Sequence, residues 1–76
     1  MMEIGTIVTI NEFKAACKEY QTAPVRKNKR KMKNLKLYVI SCLKEEKRQK
    51  HISQEEYDTY IAQLDELAAI QEEEKS

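Results

Sequence analysis

The sequence predicts an all-α fold: a short N-terminal helix followed by a long antiparallel helical hairpin, with an extended or β-like N-terminal segment. Three observations predict it. Apolar residues recur at three- and four-residue spacing in two long stretches, and two capping boxes mark helix starts. A single Gly and a single Pro leave little turn material for an all-β architecture. At 76 residues the chain holds one small domain, 1–76. That length excludes a multidomain enzyme, a nucleotide-binding βαβ unit and a barrel.

Residues 4–10 (I-G-T-I-V-T-I) are β-prone, and no second strand-like run exists to pair with them. Residues 1–10 are therefore expected to be extended, lying across the helices or pairing with another copy. The first helix is expected over 10–21. Thr9 and Glu12 form a T-x-x-E capping box with Val8 and Phe13 as its hydrophobic staple. Phe13, Ala16, Cys17 and Tyr20 then follow one helical face, and Thr22-Ala23-Pro24 ends it.

The second helix is expected over 25–50. Met32, Leu35, Val39 and Cys42 form a heptad-like seam with Leu43 alongside, while Leu37, Tyr38 and Ile40 lie off it. One partner helix cannot cover all of these. The third helix, 53–71, opens on the strongest local signal in the chain. Ser53 and Glu56 make a second capping box, with Ile52 and Tyr57 as its staple. Tyr57, Tyr60, Ile61, Leu64, Leu67 and Ala68 trace its seam, and the acidic tail 72–76 is expected to fray.

Charge is unevenly placed. Residues 1–50 hold thirteen Lys/Arg against five Asp/Glu, a net of +8, whereas 51–76 hold one Lys against eight acids, a net of −7. Arg26, Lys27, Lys29, Arg30, Lys31, Lys33 and Lys36 fall within eleven positions that contain no acid. Wound as helix, Arg26, Lys29, Arg30, Lys33 and Lys36 share much of one face, which Lys27 and Lys31 widen. Such a face reads as simply solvated, or as fitting an acidic protein surface or nucleic-acid phosphates. A hairpin turning near His51 also sets residues near 30 opposite Glu72, Glu73 and Glu74, so partial neutralisation in cis is a further reading.

Little supports catalysis. His51 is the only histidine and reads as a solvated boundary residue; Cys17 and Cys42 form no CxxC and read as reduced, small hydrophobes. Glu45/Glu46 and Glu55/Glu56 read as solvated faces and helix-start charges. No Gly-rich phosphate loop or metal-ligand motif occurs, so no catalytic residue, metal or cofactor is expected. Uncharged runs such as 37–43 are far below the ~20 residues of a membrane span. With no basic n-region in 1–10, no signal peptide is expected, and the expected location is cytoplasmic.

Residues 43–47 (L-K-E-E-K) through 52–57 (I-S-Q-E-E-Y) to Leu64 resemble the short C-terminal helical hairpins called SHOCT modules, which carry an I-[ST]-x-E-E-[YF] turn. His51 stands where that family usually has glycine. The resemblance implies an oligomerisation or adaptor role without catalytic residues.

The expected function is a non-enzymatic interaction module acting as regulator, adaptor or inhibitor by docking on a partner protein. Its compactness suits a phage or mobile-element protein aimed at a host factor. The expected surface combines the basic face with an apolar interface of Met32, Leu35, Leu37, Tyr38, Val39, Ile40, Leu64 and Leu67. Alternatives are a nucleic-acid-binding protein using residues 26–36 on phosphates, and a structural oligomerisation hairpin. A core this small gains from self-association, so a homodimer is expected.

Overall fold

Residue 20 of the chain, a tyrosine, is almost fully buried, and the stripe that leads to it begins much earlier than the sequence pattern suggests. In a computed structural model describing residues 2–75, with side chains through Ala68, three helices follow one another: α1 (Ile4–Thr22), α2 (Arg26–Arg48) and α3 (Gln54–Lys75). No strand occurs among the described residues.

The N-terminal segment is therefore helical, not extended. Thr6, Thr9, Ile10, Phe13, Ala16, Cys17 and Tyr20 are all buried and recur every three or four residues, making one continuous stripe. Burial of that stripe outweighs the β-propensity of the Ile, Val and Thr residues at its start. Thr9 is an interior helical residue rather than an N-cap, and its Oγ1 donates to the Gly5 carbonyl at 2.8 Å. Val8, expected as a staple, is half exposed at 47%. Glu3 in extended conformation precedes the helix, and its carbonyl accepts from the Thr6 and Ile7 amides.

Pro24 lies in the turn after α1 and α2 starts at Arg26. The Thr22 hydroxyl donates back to the Lys18 and Glu19 carbonyls, and Asn28 Nδ2 donates to the Ala23 carbonyl at 2.8 Å. These bonds fasten the short connection between α1 and α2.

The second turn is built differently. Lys50 takes the left-handed conformation at φ 65°, the Lys50 amide donates to the Lys47 carbonyl, and the His51 amide donates to the Glu46 carbonyl. That pair of bonds is a Schellman motif closed on a lysine where glycine is the usual choice. The capping box then forms as expected. Ser53 Oγ accepts from the Glu56 amide at 3.1 Å, and Glu56 Oε1 accepts from the Ser53 amide at 3.0 Å. Ile52 is buried, and Tyr57 packs partly buried against the core.

α1 supplies Ile10, Phe13, Ala16, Cys17 and Tyr20 to the core, α2 supplies Met32, Val39 and Leu43, and α3 supplies Leu64. Truncating a residue such as Phe13 to Ala is worth about 3–5 kcal/mol in a core of this kind. The tightest helix pair is α1 with α2, not the α2–α3 hairpin, and α3 lies against both. Its Tyr57, Tyr60, Ile61, Leu67 and Ala68 are only partly buried. The result is a slab of 38 × 20 × 13 Å. α3 continues to Lys75, past its expected end at 71, and Glu72, Glu73 and Glu74 lie outside the residues whose side chains are described.

Candidate functional site

The side of α2 turned away from α1 forms one wall of a groove whose other wall is α3. Met32, Lys33, Lys36, Leu37 and Ile40 line it from α2, and Ile61, Asp65 and Ala68 from α3, around a space of about 710 Å³. The spacing explains the arrangement. Positions 33, 36, 37 and 40 share one side of a helix whose core side carries 32, 39 and 43. On α3, 61, 65 and 68 recur in the same way.

The groove is apolar along its floor and charged at its edges. Leu37 is 66% exposed, although its neighbours in space include Ile40 and Ile61. Lys36 Nζ reaches Asp65 Oδ1 at 2.7 Å, joining the two walls. This pairing has the register expected of a hairpin turning near His51. The basic residues Arg26, Lys29, Arg30 and Lys33 continue the lysine-bearing wall toward the N terminus of α2, which Arg26 begins.

Not all of the predicted basic residues serve that wall. Lys31 faces α1, where its Nζ lies 3.6 Å from Glu19 Oε2. Part of the basic block is thus neutralised in cis by Glu19 and Asp65. Pairing with Glu72, Glu73 and Glu74, the acids expected from sequence, falls outside the described side chains. Among the described residues, Arg26, Lys27, Lys29 and Arg30 have no ion-pair partner. Val25, the N-cap of α2, provides no side-chain cap, and the first turn carries no acid. The positive end of the helix dipole and several cations therefore coincide there.

The predicted apolar interface divides in two. Met32, Val39 and Leu64 are core residues at 3% exposure or less, so they hold the fold, and of the three Met32 also borders the groove from beneath. Leu35, Ile40 and Leu67 are partly buried, while Leu37 and Tyr38 are exposed. Leu37 and Ile40 line the α2–α3 groove, whereas Tyr38 lines a cleft on the α1 side. The two exposed residues therefore belong to different surfaces. Ile61 and Asp65 complete the groove, and sequence reading had placed neither in a site.

The C-terminal end of α2 holds a second group that sequence reading missed. Glu46, expected to be solvated, is only 2% exposed, and its Oε2 accepts from the Glu3 amide at 2.9 Å. His51 Nδ1 lies 3.4 Å from both Glu46 oxygens and is partly buried. Neighbouring Glu45 is exposed, as expected, and its hydrogen bonds with Arg48 and then Gln49 lower its pKa to about 2. On the outer face of the turn, Lys47 Nζ donates to Gln54 Oε1 at 3.0 Å and sits 4.7 Å from the Tyr57 ring centroid.

Cys17 is buried and Cys42 partly buried, both as free thiols, and burial pushes the Cys17 thiol above its ordinary pKa. Among the described residues, no helix is long and apolar enough to cross a membrane. No protein-family model, curated protein or solved structure matches the chain.

Proposed function

We propose that this chain is a non-enzymatic docking module that seats an acidic, amphipathic helix of a partner protein in the α2–α3 groove. The observation that carries the reading is Leu37, 66% exposed beside Ile40 and Ile61 in a groove edged by Lys33 and Lys36. An apolar helix face fits the floor, and carboxylates at its margin fit Arg26, Lys29 and Arg30, which continue the lysine-bearing wall. The mechanism is occupancy: the module covers or tethers a surface, as a regulator, adaptor or inhibitor does, and turns nothing over. The SHOCT-like turn at 52–57 supports the same class of role.

The apolar floor favours a protein over nucleic acid, because phosphate contacts gain nothing from Leu37 or Ile40. The test is retention of proteins from nuclease-treated lysate by the immobilised full chain, compared with Leu37→Asp and with Lys33→Glu. Each variant is first checked for an unchanged helical circular-dichroism signal. The reading expects discrete proteins retained by the parent and lost with both variants. Retention unaffected by Leu37→Asp overturns it. So does duplex DNA binding that weakens steeply with salt and ignores Leu37.

A further inference from the structure

Three ligand-bearing side chains from two separate parts of the chain converge where the start of α1 meets the α2–α3 turn. One oxygen of Glu3, one oxygen of Glu46 and one ring nitrogen of His51 lie within 4.8 Å of one another. We propose that Glu3, Glu46 and His51 form a binding site for a first-row divalent metal ion of the zinc class, clamping the N terminus of α1 to that turn.

Glu46 gives the first reason. A carboxylate withdrawn to 2% exposure requires compensation for its lost hydration. The Glu3 amide supplies one hydrogen bond at 2.9 Å, to Oε2. A carboxylate has further lone pairs, so acceptor capacity remains for a cation. The His51 ring is turned toward this group, yet its Nδ1 stands 3.4 Å from each oxygen, longer than the ~2.7–3.2 Å of a good N–H···O bond. Two ligand atoms each ~2.1 Å from one tetrahedral ion are separated by about that distance. The separation of His51 Nδ1 from the Glu46 oxygens thus matches that of two ligands on one ion.

The second reason is that backbone geometry fixes the ligands. The His51 amide donates to the carbonyl of Glu46 itself at 2.9 Å, and Lys50 holds the left-handed conformation that makes this possible. In a Schellman motif these two positions commonly make an apolar contact. Here they bring an imidazole to a carboxylate. The bond from the Glu3 amide holds that stretch of backbone beside Glu46. A cleft of about 220 Å³ between α1 and α2, lined by Glu3, Thr6, Thr9 and Glu46, offers a route for the ion.

The donor set selects the ion. Two carboxylates and one imidazole are wrong for the all-oxygen preference of calcium and magnesium, and they lack the thiolates that copper(I) prefers. They suit the borderline first-row divalent ions that accept imidazole, zinc among them, with three protein ligands and a remaining position for water. Such binding stabilises the fold, because the unfolded chain does not hold the three groups together.

The test is calorimetric titration of the full chain with zinc chloride, paired with thermal unfolding at increasing zinc. The expected result is one ion per chain and a melting temperature that rises with zinc concentration. His51→Gln should weaken binding at least ~tenfold, since even outer-shell partners of a metal site are worth ~10–100-fold. Glu46→Gln should also weaken it. Because that variant can perturb the core, the partly exposed His51 provides the independent arm. Cys42→Ser should leave the affinity unchanged. Absence of zinc binding at submillimolar concentration overturns the proposal, as does binding insensitive to His51→Gln or abolished by Cys42→Ser.

Discussion

Lys36 Nζ and Asp65 Oδ1 lie 2.7 Å apart and connect the two walls of the groove that we assign to partner docking. The lysine side chain is 26% exposed and the aspartate 59%. The pair is thus half-shielded, and it sets α2 against α3 beside the apolar floor. A double-mutant cycle on Lys36→Ala and Asp65→Ala should give a coupling of about 0.5–1 kcal/mol. That coupling should shrink in 1 M salt, where the Debye length falls to ~3 Å. Zero coupling at low salt would mean that other contacts alone hold the walls in register.

Two backbone positions should yield stability without touching the groove. Lys50 occupies φ 65°, where a side chain is disfavoured, so Lys50→Gly should stabilise the protein by about 0.5–1 kcal/mol. Gly5 lies inside α1 with nothing within 4 Å of the place a Cβ would occupy. Gly5→Ala should add a similar amount, about 0.5–1 kcal/mol, by restricting the unfolded chain. Chemical denaturation checks both. Destabilisation by Gly5→Ala would contradict the helical N terminus directly.

That N terminus shows where the sequence was legible and where it was not. The start of α3 could be read because Ser53, Glu56, Ile52 and Tyr57 announce a cap and staple that depend only on local geometry. The start of α1 could not, because its buried stripe begins with Thr6 and Thr9. These look polar, but the Thr9 hydroxyl is satisfied by the carbonyl of Gly5 and so can be buried. Without those two, the pattern begins at Phe13, and Ile4 to Ile10 reads as strand.

The groove was half legible. Leu37 and Ile40 stood off the main seam and marked an uncovered side of α2, but its opposite wall depends on how α3 crosses. Glu46 is the clearest missed signal. It lies three positions after Leu43 and seven after Val39, so it continues the buried seam. Chemical type hid it, since Glu45 beside it is exposed.

The two thiols should differ in reactivity. Cys17 is 3% exposed, whereas Cys42 is partly buried beside the cleft between α1 and α2. A thiol reagent on the native protein should modify Cys42 quickly and Cys17 at the rate of opening of the fold. The direction of the Cys17 shift also fixes a pH effect. Its folded pKa is raised by burial, so its contribution to stability is complete below the ordinary thiol pKa and declines as pH rises above it. Equal reactivity of both thiols would contradict the buried α1 stripe.

The beginning of α2 should be the least protected part of that helix. Arg26, Lys27 and Lys29 crowd a terminus whose dipole is positive and that no side chain caps among the described residues. Amides of residues 28–31 should exchange with solvent much faster than those near Val39. Arg26→Glu should slow that exchange and stabilise the protein by about 0.3–1 kcal/mol. Uniform protection along α2 would show that tertiary packing, not end electrostatics, governs this segment.

The most direct test of docking in the α2–α3 groove is site-specific photo-crosslinking in nuclease-treated lysate. A photoreactive side chain is placed at Leu37 in one preparation and at Asn34 in another, since Asn34 is exposed but does not line the groove. Our account predicts a discrete protein adduct from position 37, absent from position 34, and suppressed by Lys33→Glu. Adducts of equal yield from both positions, or none from position 37, would contradict it.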